Sequence, residues 1–161
     1  MDVIIMDMGE GVTGESTLSG YEGKLELLSY SHGVAMQITG DLYERDRTAN
    51  KPIHQDIAVT RYLDAASPVL AQSCCQGKIF KQVDIVVGSN DRGRLAEAMR
   101  YTLKNVIISS VAVGGGGGGR PVETLTLNYT HITWKYTSAN PAHGRGGAVV
   151  GSWNLETNNV G

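Results

Sequence analysis

Apolar and polar residues alternate with a period of two along most of the chain. Val3 to Met8 reads as a short first strand. In Lys24 to His32, "KLELLSYSH", Leu25 and Leu27 share one face while Leu28 and Tyr30 share the other. That phase change predicts a bulge or a strand covered on both sides. Ile53 to Tyr62 places Ile57 and Val59 together, and "IFKQVDIVVG" and "MRYTLKNVIISSVAV" follow as longer strands. In Val122 to Tyr136, Leu125, Leu127 and Tyr129 lie on one face and Ile132, Trp134 and Tyr136 on the other. The switch near Thr130 predicts one long strand that bends and serves two environments. A last strand spans Ala148 to Leu155.

One segment has helical punctuation. "SPVLAQSCCQGK" offers Ser67 as N-cap, Pro68 at the first helical position and Gly77 as the stop. "LAEAMR" from Leu95 is a weaker helical candidate that runs straight into a strand. Thr39 to Pro52 reads as a long polar loop of mixed charge, and Asn140 to Gly147 as a second irregular segment. Six glycines, Gly114, Gly115, Gly116, Gly117, Gly118 and Gly119, separate two strand-like segments. They are too few to join domains, so a hairpin tip is expected there. The chain reads as a single domain over residues 1–161.

Composition narrows the function. Of 161 residues, 41% are apolar and 19% charged, which is ordinary for a folded domain, and the formal net charge is −2. No cluster of Lys or Arg makes a footprint for nucleic acid or anionic lipid. The acidic start with Asp2, Asp7 and Glu10 lacks the basic, then apolar pattern of a secretory signal, so synthesis in the cytosol is expected. The longest apolar runs fall far short of the roughly 20 residues a membrane helix needs. The adjacent Cys74 and Cys75 are expected to stay unbridged.

Catalytic and cofactor patterns are missing. After the glycine run come Arg120, Pro121 and a strand, where a phosphate loop needs Lys, Ser or Thr and a helix. Around Ser31, "SYSHG" lacks the first glycine of a nucleophile elbow, and Ser31 and His32 alternate to opposite faces of a strand. His32, His54, His131 and His143 have no metal-ligand spacing, and the carboxylates are dispersed. No enzyme activity, cofactor or metal is expected.

Several segments in order resemble haemolysin-coregulated protein (Hcp), the inner-tube subunit of the type VI secretion system. They are "QDIAVTRYLD" running into the helix, "VIISSVAVGGGGGG" and "LTLNYTHITWKY", framed by "GVTGES" and "GSWNLETNN". The resemblance implies a mainly β fold: a small β-barrel of two packed antiparallel sheets with one short α-helix on its side, related to phage tail tubes. It also implies homo-hexameric rings that stack into a tube. A contractile sheath, with a spike and baseplate, drives that tube into a target cell, and effector proteins ride in the lumen. Such a subunit assembles in the cytoplasm and is exported without a cleaved signal. The chain ends at Gly161 soon after its last strand, so no appended enzyme domain is expected.

On this resemblance the glycine run is the tip of a hairpin at the ring edge, and the alternative is a loop under no constraint. The long loop is expected to reach an adjacent subunit, with Tyr43, Glu44, Arg45, Asp46 and Arg47 at the contact. Ser29 and Ser31 share a strand face near the pore and are the candidates for effector contact. The chain departs from the family at "YERDR", where some relatives are glycine-rich. It departs again at Tyr30 and His32, where tryptophans are common, and at Cys75. The other function considered is a ligand- or carbohydrate-binding β-domain, which would need a concave aromatic cluster.

Overall fold

A computed structural model describes residues 2–39, 48–138 and 147–161. Its strands are β1 (Asp2–Asp7), β2 (Leu25–Leu27), β3 (Ser29–Ser31), β4 (Val34–Thr39), β5 (Thr48–His54) and β6 (Ile57–Tyr62). After the helix α1 (Ser67–Gln76) come β7 (Ile79–Asp91), β8 (Arg94–Gly114), β9 (Val122–Asn128), β10 (His131–Thr137) and β11 (Ala148–Asn154). The protein is mainly β with one helix among the described residues, as the pattern and the resemblance both indicate.

The described strands form two sheets of unequal size, and the larger does not close into a barrel. Nine strands form one sheet, with the path β2-β1-β7-β8-β9-β6-β3, and β10 and β11 branch from β8. β4 and β5 form a separate two-stranded ribbon. The hydrogen-bonded path is open, and its two ends are β2 and β3, which are consecutive in the chain. Leu28 is the single residue between them, and its N–H donates to the Thr60 carbonyl at 2.7 Å. The phase change at Leu28 is therefore a change of partner: Leu25 and Leu27 bury against the core beside β1, and Ser29 and Ser31 pair with β6.

The core lies on the inner face of this wrapped sheet. Leu25, Ile57, Val59, Val83, Ile85, Leu103, Leu125, Leu127 and Ile132 supply it, with Leu70 from α1. Each such side chain contributes roughly 1.5–3 kcal/mol on burial. Ile5 and Val86 face each other across β1 and β7 and are buried on the opposite side.

The longest hairpin joins β7 to β8 through Arg92 and Gly93, both at positive φ (53° and 82°). That geometry matches the right-handed twist of a two-residue β turn. It places "LAEAMR" in β8, opposite β7, and overrides its helical pattern. At Gly88 a Cβ would stand 2.1 Å from the Ala96 carbonyl oxygen, so only glycine fits this close approach of the two strands.

β9 and β10 lie end to end along β8, where one bent strand was expected. The break falls at Tyr129 and Thr130, where Asn105 has φ 53° and its Nδ2 donates to Thr130 Oγ1 at 3.0 Å. Beyond β8, β9 pairs with β6 and β10 pairs with β11, which are the two environments that the switch of faces announced. Ile53 to Tyr62 is likewise two strands, divided at Gln55 and Asp56.

The helix begins one residue away from the expected arrangement. Ala66 precedes its first turn, and Ser67 is inside it. Among the described residues no side chain caps the first turn; Asp64 instead shapes the turn before it, its Oδ1 accepting the Ala66 N–H at 2.8 Å while its own N–H donates to Ser67 Oγ. Gly77 ends the helix in the left-handed region at φ 61°, as expected.

Candidate functional site

The outer face of β3, β6, β9 and the end of β8 is uncovered and free of charge. Register explains its composition. Ser31 stands opposite Ala58, Ala58 opposite Thr126, and Thr126 opposite Ser110. In the next row Ser29 stands opposite Thr60, Thr60 opposite Thr124, and Thr124 opposite Ala112. Two rows of small, uncharged side chains thus cross four strands. The hydroxyls bond to one another: Ser29 Oγ lies 2.5 Å from Thr60 Oγ1, and Thr126 Oγ1 lies 2.5 Å from Ser110 Oγ and 2.6 Å from Ser109 Oγ. The alternate positions, Val59, Leu125 and Leu127, are buried in the core. Ser29 and Ser31, nominated from sequence, are exposed members of this face.

These four segments contain only two charged residues, Arg61 and Glu123, and both point inward. They are register partners, with Arg61 Nη1 2.7 Å from Glu123 Oε2. Arg61 Nη2 reaches Asp64 at 2.5 Å, and Ser67 Oγ donates to Glu123. The rim is polar. Asp56 accepts from Ser109 Oγ at 2.7 Å and from Asn128 Nδ2 at 2.9 Å. At the other end the Arg120 guanidinium lies over the Tyr62 ring, 4.3 Å from its centre. The β7–β8 part of the sheet differs, since Arg100 pairs there with Asp84 and Glu97.

The glycine run is the β8–β9 connection. Gly114 ends β8, and Gly118 N–H donates to the Gly116 carbonyl within the turn. None of the six has a positive φ. A Cβ at Gly114, Gly116, Gly117, Gly118 or Gly119 would meet nothing within 4 Å, and one at Gly115 would only touch Pro121 at 3.4 Å. The left-handed region open to glycine is therefore unused at these six positions.

The expected loop from Thr39 to Pro52 is shorter than its polarity suggests, because Thr39 ends β4 and Thr48–Pro52 lie in β5. Tyr43, Glu44, Arg45, Asp46 and Arg47 lie outside the described residues. The described part of this ribbon leaves Val34, Met36, Ile38 and Ile53 exposed. On β10 and β11, Tyr136 and its register partner Val149 are exposed together, and Val150 is exposed on the opposite face.

Sequence spacing missed a cluster at the root of the ribbon. His32 precedes β4 and His54 ends β5, and both imidazoles meet Tyr129 and Trp134 with ring centres 6.0–6.2 Å apart. Tyr101 joins from β8. Burial pushes both histidines below their ordinary pKa of 6.5, and His54 lowers His32 further. Burial first, then Tyr30, raises the Tyr101 phenol; burial, then Asp56, raises that of Tyr129. The signal in the sequence was the hairpin itself, whose ladder sets Val34 opposite His54. Among the described residues no three His, Cys, Asp or Glu side chains are grouped to hold a metal, and no helix is long and apolar enough to cross a membrane. Cys74 and Cys75 are free thiols.

The described residues define a mainly β protein: a wrapped antiparallel sheet with one flanking helix, one uncharged face and a hairpin with exposed apolar residues. Comparison with known proteins then places it. The family described as "Type VI secretion system effector, Hcp" matches residues 6–136, and the chain belongs to that family. Protein hcp1 of Pseudomonas aeruginosa is 33% identical over 106 residues, which cover 65% of this chain and 65% of that relative. The chain thus matches slightly less than two thirds of the relative's length. A solved structure of a type six secretion system protein aligns with TM-score 0.90 and 25% identity, covering 99% of both chains. Hcp1 from Salmonella typhimurium shares the fold, with TM-score 0.81 and 22% identity over 99% of this chain and 98% of that one.

Proposed function

We propose that this chain, as a single domain, is a structural subunit of a type VI secretion inner tube. Six copies form a ring, rings stack, and the uncharged face lines the lumen. The observation that carries this reading is the pair of registered rows from Ser31 to Ser110 and from Ser29 to Ala112. A broad sheet face facing only water has no need to turn its two charges inward, since charged side chains are the common surface residues. A channel wall that must hold cargo and release it gains from weak, neutral hydrogen bonding without fixed charge.

The remaining surface supports assembly. The ribbon residues Val34, Met36, Ile38 and Ile53, together with Tyr136, Val149 and Val150, expose apolar area that a neighbouring copy would cover. The charged segment from Tyr43 to Arg47 would pair at the same contact, and the glycine hairpin would sit at the ring edge, where the absence of side chains lets a stacked ring approach. Among the described residues nothing calls for glycine at Gly116 to Gly119, so a requirement for it would come from such a neighbour. The spike, baseplate and sheath are the partners of the finished tube, and effector proteins are its cargo. The subunit assembles in the cytoplasm and leaves as a folded part, with no catalytic role.

The aromatic cluster lends no weight to a carbohydrate-binding function, because its rings pack on one another. The deciding test is negative-stain electron microscopy with solution mass. Six-fold rings at hexamer mass are expected. Monomers alone at tens of micromolar, with no rings on the grid, would overturn the self-assembling tube subunit.

A further inference from the structure

The ribbon leaves the body of the protein through His32 and Gly33 and returns through His54 and Gln55. Its root is fixed by the Gln55 N–H donating to the Gly33 carbonyl at 3.0 Å, and by the two histidines. Trp134 Nε1–H donates to His32 Nε2 at 3.4 Å. The indole nitrogen is only a donor, so His32 Nε2 must present a lone pair and the single ring proton sits on Nδ1. Among the described residues that buried Nδ1 has no partner.

His54 is arranged differently. Its Nδ1 lies 3.3 Å from the Tyr129 hydroxyl, whose own proton goes to the Gln55 carbonyl at 3.2 Å. The hydroxyl therefore accepts from His54 Nδ1–H, a bond that a protonated His54 also makes. His54 further lies stacked on Trp134 at an interplanar angle of 26°, where the indole face tolerates a cation. Only His32 loses its partner on protonation, because an N–H at Nε2 would then point at the N–H of Trp134.

We propose that His32 is a proton sensor that fixes the root of the β4–β5 ribbon to Trp134 of β10 when neutral and frees that root when protonated. Among the described residues, the groups facing the pair offer no compensating charge. From β8 comes Tyr101, and from the β9–β10 segment come Tyr129 and Trp134; both phenols stay protonated in the relevant range. Tyr30 of β3 shares its hydroxyl contact with Tyr101. Asp56 acts on Tyr129, but its oxygens are held by Ser109 and Asn128. Both imidazoles are depressed below 6.5, so the released state binds more protons. Docking is thus at full strength above about pH 6.5 and weakens as pH falls below it. The proposal stands apart from the tube reading; if both hold, contacts made through the ribbon loosen in acid.

Hydrogen exchange of the full chain, kept below the concentration at which it associates and corrected for intrinsic rates, tests this. Protection of residues 34–39 and 48–54 is compared at about pH 7.5 and about pH 5, with the β7–β8 hairpin as internal reference. The loss of one hydrogen bond predicts that ribbon protection falls about fivefold on acidification while the reference holds. His32→Phe should keep the ring packing and abolish the change, whereas His54→Phe should retain it. Trp134→Phe removes the bond from the other side and should give low ribbon protection at both pH values, which keeps the test decisive if His32→Phe fails to fold. An unchanged ribbon in the wild-type protein, or an equal fall in His32→Phe or Trp134→Phe, would overturn the proposal.

Discussion

Arg61 and Glu123 stand directly opposite each other on β6 and β9, turned away from the uncharged face, and each is only 1% exposed. Their ion pair, completed by Asp64 and Ser67, ties two wall strands to the start of α1. A buried cluster of this kind contributes modestly as a whole, but removal of Arg61 strands both Glu123 and Asp64 without their cation.

Arg61→Met should therefore destabilise the fold by about 3–5 kcal/mol. For a chain of this length each kcal/mol lowers the melting temperature by roughly 2–4 °C. Arg61→Met combined with Glu123→Leu and Asp64→Asn should recover most of the loss. Differential scanning calorimetry of the three forms decides, and a single variant that melts with the wild type would contradict the role given to the pair.

Two glycines should respond in opposite ways. Gly77→Ala forces a side chain into the left-handed region and should cost about 1–2 kcal/mol, although the space beside it is open. Gly117→Ala meets neither a positive φ nor a neighbour, and should be neutral or stabilising by about 0.4–1 kcal/mol in the isolated subunit. If the hairpin docks a stacked ring, replacement of all of Gly116 to Gly119 by larger residues should shorten tubes on the grid without lowering the melting temperature. Tubes of normal length would show that the hairpin does not take part in stacking.

Charge placed on the wall should affect cargo rather than folding. Ser31→Lys and Thr126→Lys each add a cation to an uncovered face, and surface changes of this kind fall within about 0.5 kcal/mol. Ring formation should persist while co-purification of an effector is lost or becomes dependent on salt. Retention of cargo by both variants would place the carrier surface elsewhere.

The ribbon should matter for assembly alone. Met36→Asp and Ile38→Asp replace exposed apolar residues, so circular dichroism and thermal stability should match the wild type. The fraction of hexamer in solution should drop sharply, as measured by light scattering at a fixed concentration. Wild-type assembly in both variants would remove the ribbon from the interface.

Local pattern was enough to find most strands, the helix and the hairpin at the glycine run, because period and punctuation are written in neighbouring residues. It also placed Ser29 and Ser31 on one face, since side chains alternate strictly along a strand. Local pattern misread what depends on partners. "LAEAMR" is a strand because the turn at Arg92 and Gly93 sets it against β7. Val122 to Tyr136 divides because β6 and β11 take different halves of it. The two rows of neutral side chains and the inward pairing of Arg61 with Glu123 exist only through register between segments up to about a hundred residues apart. The same holds for His32, His54 and Trp134, whose spacing in sequence suggests no relation. Alternation is a property of one strand and can be read alone; which strand lies beside it is settled by the burial of a common core, and that settlement gives this face its composition.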